Sequence, residues 1–149
     1  MSPVLIGVAL LLAVALWGFF SGGLGGVALG NGGSGSGGNM NAQQIASYAA
    51  NAGFWGSNLV IAVAVALAES GGNPQAVGDG GTSYGLWQIH WTVHPEFDKS
   101  QLFDPQYNAN AAFAIYSPKG NFTDWSAYNN GRYQAYIGAA QDAAAGIPA

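Results

Sequence analysis

The run Asn58-Leu59-Val60-Ile61-Ala62-Val63-Ala64-Val65-Ala66-Leu67-Ala68-Glu69 is apolar from Leu59 to Ala68 and ends on a single carboxylate. At 3.6 residues per turn it is apolar on every face, which predicts a helix passing through the centre of a domain. Ser57 is placed to cap its start. Gly71, Gly72 and Pro74 follow Glu69 and close it. Partial burial and the negative end of the helix dipole both disfavour the ionised form of Glu69. A carboxyl that keeps its proton can deliver it to the leaving oxygen of a breaking glycosidic bond. An isolated Glu after an apolar run is otherwise a residue emerging into solvent, so the flanking sequence decides between the two readings.

Upstream, Asn41 and the Gln residues after it form a cap pattern, and Ile45, Tyr48, Ala49 and Ala52 at helical spacing predict an amphipathic helix. Downstream, a Gly-rich loop from Ala76 to Thr82 leads into Tyr84-Gly85-Leu86-Trp87-Gln88-Ile89, which reads as a short strand or extended segment. Asp104 before Pro105 starts another helix, continued by Tyr107, Ala111, Ala112, Ile115 and Tyr116. Beyond a turn at Pro118 to Asn121, one further helix is expected near Trp125 and another through Tyr133, Tyr136, Ile137 and Ala140. The fold class is mainly α, with a short extended or β segment beside a cleft.

The blocks Ala68-Glu69-Ser70-Gly71-Gly72-Asn73-Pro74-Gln75-Ala76 and Ser83-Tyr84-Gly85-Leu86-Trp87-Gln88-Ile89 resemble the soluble lytic transglycosylases and goose-type lysozymes. The lysozyme-like domains of bacteriophage tail proteins are the nearest in kind. The similarity continues through Asp104-Pro105, Asn108, Ala111-Ala112 and Ile115-Tyr116 to Trp125-Ser126-Ala127-Tyr128-Asn129, spanning about Ile45 to Tyr133. Several short blocks in the right order are a stronger signal than any one of them. The resemblance implies a lysozyme-like fold and cleavage of peptidoglycan glycan strands between MurNAc and GlcNAc, by a lytic transglycosylase or a muramidase. It implies that Glu69 is the general acid. It also implies that Gly85, Leu86, Gln88 and Ile89 line the cleft with Ser83 nearby in the family's small polar position, and that Tyr128 and Asn129 orient substrate and acid. Trp87 stands where the bacterial enzymes usually carry Met, and Asp79 stands in the loop where small polar residues are familiar.

A hydrolase needs a second acidic group beside the scissile bond. Asp79 is the candidate, although an Asp in a Gly-rich turn is equally well explained by turn chemistry. In a lytic transglycosylase the one Glu serves twice, and the sugar's own C6 hydroxyl attacks the anomeric carbon. No cofactor and no metal is expected: His90 and His94 stand four apart beside Glu96 and Asp98, but Trp91, Thr92, Val93 and Pro95 argue against the helix that such a ligand spacing needs. Of the aromatics, Trp55, Trp91 and Trp125 are read first as core, and Tyr84 and Trp87 as the ones most suited to stacking on sugar. Lys99, Lys119 and Arg132 are read first as solvated charges, with contact to peptide-stem carboxylates as the other reading.

Half the residues are hydrophobic and only 7% are charged, and none of the first forty carries a charge. Seven acids against three bases leave a net charge of -4, which cannot neutralise a run of phosphates and excludes nucleic acid as a partner. With no cysteine there is no disulfide framework, thiolate nucleophile or Cys-ligated metal. Residues 1–20 form an N-terminal hydrophobic segment: from Pro3 to Phe20 every residue is apolar or Gly, about 27 Å as a helix. It reads as a membrane anchor, a signal-like segment without the usual basic start, or a helix buried among virion proteins. Residues 21–40 are a Gly/Ser-rich linker, and residues 41–149 the lysozyme-like domain. The arrangement suits a tethered enzyme of a virion, opening the cell wall during genome delivery, or of a bacterial cell envelope. The rival readings are an inactive structural or glycan-binding tail or envelope component, against which the retained Glu69, Gln88, Tyr128 and Asn129 argue, and a pore-forming role for residues 3–20.

Overall fold

The computed structural model describes residues 38–148. The expected hydrophobic segment and nearly all of the linker lie outside the described residues. The first helix, α1 (Ala42–Ala52), begins with a capping box: the Asn41 side chain accepts from the Gln44 N–H at 2.9 Å, and the Gln44 side chain accepts from the Asn41 N–H at 3.0 Å. Next comes α2 (Gly56–Ser70), the helix expected at the centre. Leu59, Ala62, Val63, Ala64, Val65 and Ala66 are all buried, and each branched side chain so buried contributes about 1.5–3 kcal/mol. Packing therefore holds this helix, and its start needs no side-chain cap. Ser57 does not serve as one, because the helix already begins at Gly56 with Trp55 in the cap position. At its far end Gly71 takes the left-handed conformation at φ 62°, and its N–H returns to the Leu67 carbonyl at 2.9 Å.

Three two-residue strands follow: β1 (Val77–Gly78), β2 (Ser83–Tyr84) and β3 (Ile89–His90), in antiparallel order β1-β2-β3. Val77 pairs with Tyr84, and Tyr84 with Ile89. The single extended segment expected over Tyr84–Ile89 is thus a turn between two strands. Gly85 at φ 78° and Gln88 at φ 48° reverse the chain, and Leu86 and Trp87 between them drop fully into the core.

Asp104 caps α3 (Pro105–Tyr116) by accepting from the Tyr107 N–H at 2.7 Å. A short α4 (Ser126–Asn129) follows. The helix expected through Tyr133 to Ala140 is divided into a 3-10 stretch, Arg132–Tyr136, and α5 (Ile137–Ala145). Tyr136, at φ -106° and ψ 0°, breaks the helical geometry between them, and the Tyr133 ring stacks back on Tyr128 at 5.0 Å. Helix α2 packs against α1, α4, α5 and the 3-10 stretch, so most of the domain is built around it. Phe54, Phe113, Tyr116, Phe122 and Trp125 form a continuous aromatic cluster beside it. Among the described residues no helix is long and apolar enough to cross a membrane.

Candidate active site

Glu69 occupies the last turn of α2, and its side chain is only 11% exposed. One carboxylate oxygen, Oε1, accepts the Ala127 backbone N–H at 2.8 Å and the Ser126 hydroxyl at 3.1 Å. Both donors come from the first turn of α4. The other oxygen, Oε2, lies 3.8 Å from Arg132 Nη2, which also donates to Ser126 Oγ at 3.4 Å. By sequence alone Ser126 and Ala127 are only members of a block, and Arg132 is a solvated charge or a contact for peptide-stem carboxylates, not a partner of Glu69. Their approach to Glu69 spans more than fifty residues, and no local pattern announces it.

The turn between β2 and β3 is held from behind by Asn108 of α3, which is fully buried. Its amide donates to the carbonyls of Tyr84 at 2.9 Å and Leu102 at 2.8 Å, and its oxygen accepts the Trp87 N–H at 2.8 Å. Gly85 has to be glycine here: φ is 78°, and a Cβ would collide with the Leu102 carbonyl oxygen and the Asn108 amide. The Trp87 indole donates to the Ala62 carbonyl in the middle of α2 at 2.9 Å, and the Trp87 carbonyl accepts the Trp125 indole at 2.8 Å. Trp125 immediately precedes Ser126 and Ala127. A buried chain of hydrogen bonds thus links Asn108, the turn and the segment that holds Glu69.

This geometry corrects part of the expected cleft lining. Ser83, Leu86 and Trp87 have no exposed surface, and Ile89 and Tyr84 retain almost none, so these side chains offer no face on which a sugar could stack. Trp87 and Tyr84 are core residues, and Trp87 braces α2 instead of a substrate. Gly85 is buried as well.

Gln88 and Asp79 differ from their neighbours in being the two non-glycine residues with positive φ among those described, at 48° and 50°. Such a conformation costs about 1–3 kcal/mol and persists where the surroundings impose it. Gln88 is half-buried, and its amide donates to the carbonyls of Ala76 at 3.1 Å and Gly85 at 3.0 Å. Asp79 is exposed and accepts the Ser83 hydroxyl. Tyr128 and Asn129 lie on α4, next to the residues that bond Glu69. Tyr128 is half-buried against Tyr133 and Phe122, and the Asn129 amide donates to the Thr123 carbonyl at 2.8 Å. Tyr128 and Asn129 therefore share the short helix α4 with the residues that bond Glu69, whereas Asp79, Ser83 and Gln88 lie on or beside the small sheet.

Elsewhere, His94 Nδ1 lies 3.1 Å from Glu96 Oε1, and no group of three His, Asp or Glu among the described residues is arranged to hold a metal ion. Lys99 sits over the rings of Tyr84 and Trp91 at 5.1 and 5.4 Å, and Lys119 pairs with Asp124 at 2.7 Å.

A family model described as a lysozyme-like domain matches residues 46–127. The chain belongs to this lysozyme-like family. The matched span contains Glu69, the whole small sheet and Asn108, and it ends on Ala127, whose N–H holds Glu69. Tyr128, Asn129 and Arg132 lie just beyond it. The lysozyme-like domain points to glycosidase chemistry on peptidoglycan. No curated protein and no solved structure matches the chain.

Proposed function

We propose that this lysozyme-like domain cuts peptidoglycan glycan strands between MurNAc and GlcNAc, with Glu69 as the general acid. The observation that carries the reading is the setting of Glu69, a nearly buried carboxyl at the end of the central helix with Oε1 held by two donors from α4. Anchoring Oε1 leaves Oε2 to carry the proton. As the bond from the anomeric carbon to the glycosidic oxygen breaks, the proton on Oε2 passes to that oxygen. The Ala127 N–H and the Ser126 hydroxyl already point at the carboxylate that results, so its charge is met without rearrangement. The ionised Glu69 then accepts a proton from the attacking hydroxyl. In a lytic transglycosylase this is the C6 hydroxyl of the muramyl sugar, giving a 1,6-anhydro end; in a muramidase it is water, giving a reducing end. Gln88, Tyr128 and Asn129 are the proposed substrate-binding side chains, and Asp79 is the proposed second carboxylate of the muramidase route.

Mass spectrometry of the fragments that the full chain releases from purified peptidoglycan tests this reading. Anhydro-muropeptides identify the transglycosylase. Reducing ends that also disappear in Asp79→Asn identify the muramidase. No fragments, under conditions where a control lysozyme works, would reject cleavage and favour a glycan-binding protein.

The apolar residues 3–20 and the Gly/Ser-rich linker support a second proposal, that the enzyme acts while tethered in a virion or cell envelope. Recovery of the full chain in the particle or membrane fraction, and loss of that recovery when residues 3–20 are deleted, is the expected result. Equal recovery of both forms in the soluble fraction would contradict it.

A further inference from the structure

The chain has three basic side chains, and only one of them stands at Glu69. Lys119 is committed to Asp124 at 2.7 Å, and Lys99 is laid over two aromatic rings. Arg132 is different. It is 54% exposed, it lies 3.8 Å from Glu69 Oε2, and its guanidinium donates one long hydrogen bond, to Ser126 Oγ at 3.4 Å. A guanidinium has five N–H donors in a planar fork suited to a carboxylate. Most of that capacity faces solvent, beside the carboxyl proposed to meet the glycosidic bond.

Peptidoglycan is a polyanion, whose carboxylates lie on the peptide stems or, where a stem has been removed, on the lactyl group of the sugar. With seven acids against three bases, this protein carries a net negative charge that opposes association with such a polymer. We propose that Arg132 is the specificity residue of the site, a receptor for a carboxylate carried by the glycan strand. The inference rests on the proposed peptidoglycan reading. In the free enzyme the guanidinium is the counter-ion of Glu69; with substrate bound it pairs with the strand's carboxylate. Pairing with the strand's carboxylate draws the guanidinium away from Oε2 and leaves that oxygen open to the glycosidic bond.

Binding measured without cleavage separates this inference from the enzymatic reading. The full chain as Glu69→Gln, and as Glu69→Gln with Arg132→Gln or Arg132→Lys, is titrated by calorimetry with three glycan preparations: strands with intact stems, amidase-stripped strands with free lactyl carboxylates, and strands whose carboxylates have been amidated. Glu69→Gln is expected to bind at least one carboxylate-bearing preparation about tenfold more tightly than the amidated one, and which preparation it prefers identifies the source of the carboxylate. Adding Arg132→Gln should erase the preference while leaving weak binding of amidated strands unchanged, and Arg132→Lys should restore much of it. A preference that survives Arg132→Gln, equal binding of all three preparations, or no binding of any would overturn the inference. In parallel, failure of the wild type to cleave would count against the glycosidase reading, while the binding comparison stands on its own.

Discussion

Asn108→Ala should be among the most damaging single substitutions in the domain that leave the proposed catalytic residues untouched. The side chain is fully buried, and its three hydrogen bonds, to Tyr84, Leu102 and Trp87, all lie between 2.8 and 2.9 Å. Truncation strands the Trp87 N–H and two carbonyls. A buried polar group left without a partner costs about 1–3 kcal/mol. The carbonyls retain some freedom to find other donors, so a total of about 3–4 kcal/mol is expected. For a domain of this size that corresponds to a fall in Tm of about 15–20 °C. Asn108→Asp gives a second, pH-dependent reading. The introduced carboxyl would face two carbonyl oxygens, which disfavour its ionised form and raise its folded-state titration above the unfolded one. Its favourable contribution is then present below the unfolded carboxylate range and lost as pH rises through the folded value. Asn108→Asp should therefore lie closer to wild type in mildly acidic buffer than at neutral pH. Thermal unfolding of the full chain followed by circular dichroism measures both. If Asn108→Ala melted within about 3 °C of wild type, or Asn108→Asp kept a constant gap across pH, the pin between α3 and the turn would not be what holds the turn in place.

Gly85→Ala should cost at least about 2 kcal/mol, because the added methyl meets backbone and amide atoms at a positive φ; a melting temperature equal to wild type would refute the close approach. Trp125→Phe removes the 2.8 Å bond to the Trp87 carbonyl and keeps most of the ring. The expected loss of stability is about 1–2 kcal/mol, with a fall in peptidoglycan cleavage because the neighbouring Ser126 and Ala127 hold Glu69; unchanged cleavage would sever the proposed link. The Asp98 carboxyl is held below the ordinary carboxylate range by hydrogen bonds from the Gln101 side chain, then the Ser100 hydroxyl and backbone N–H. Its contribution is present above the unfolded value and disappears as pH falls through the lower folded one. The Tm advantage of wild type over Asp98→Asn should thus be visible at neutral pH and shrink in strong acid, and a gap that widened on acidification would contradict it.

Much of the fold was legible because its signals are local. An apolar run from Leu59 to Ala68, an Asn41 cap with Gln44 three residues on, and Asp104 before Pro105 each state a helix within a few residues. The small sheet was only half legible. Leu86 and Trp87 look like strand residues by composition, and the positive φ at Gln88, a non-glycine, has no local sequence signal. Glu69 was legible as an acid at a helix end, but its partners were not. Ala127 reaches it with a backbone N–H that every non-proline residue possesses, and Arg132 arrives through a 3-10 stretch where continuous helix was expected. By sequence Trp87 suits stacking on sugar as well as it suits the core, because an aromatic beside a cleft fits either role. Only the indole bond to Ala62 and the absence of exposed surface decide for the core.

The most direct test of the central claim is the rate at which the full chain, as wild type and as Glu69→Gln, releases soluble muropeptides from purified peptidoglycan, with circular dichroism showing that both are folded. The substitution preserves shape and removes the proton donor. A fall of about 10²–10⁴-fold, the usual worth of a positioned acid, is predicted for Glu69→Gln. Equal rates from the two folded proteins would contradict the assignment of Glu69 as the general acid.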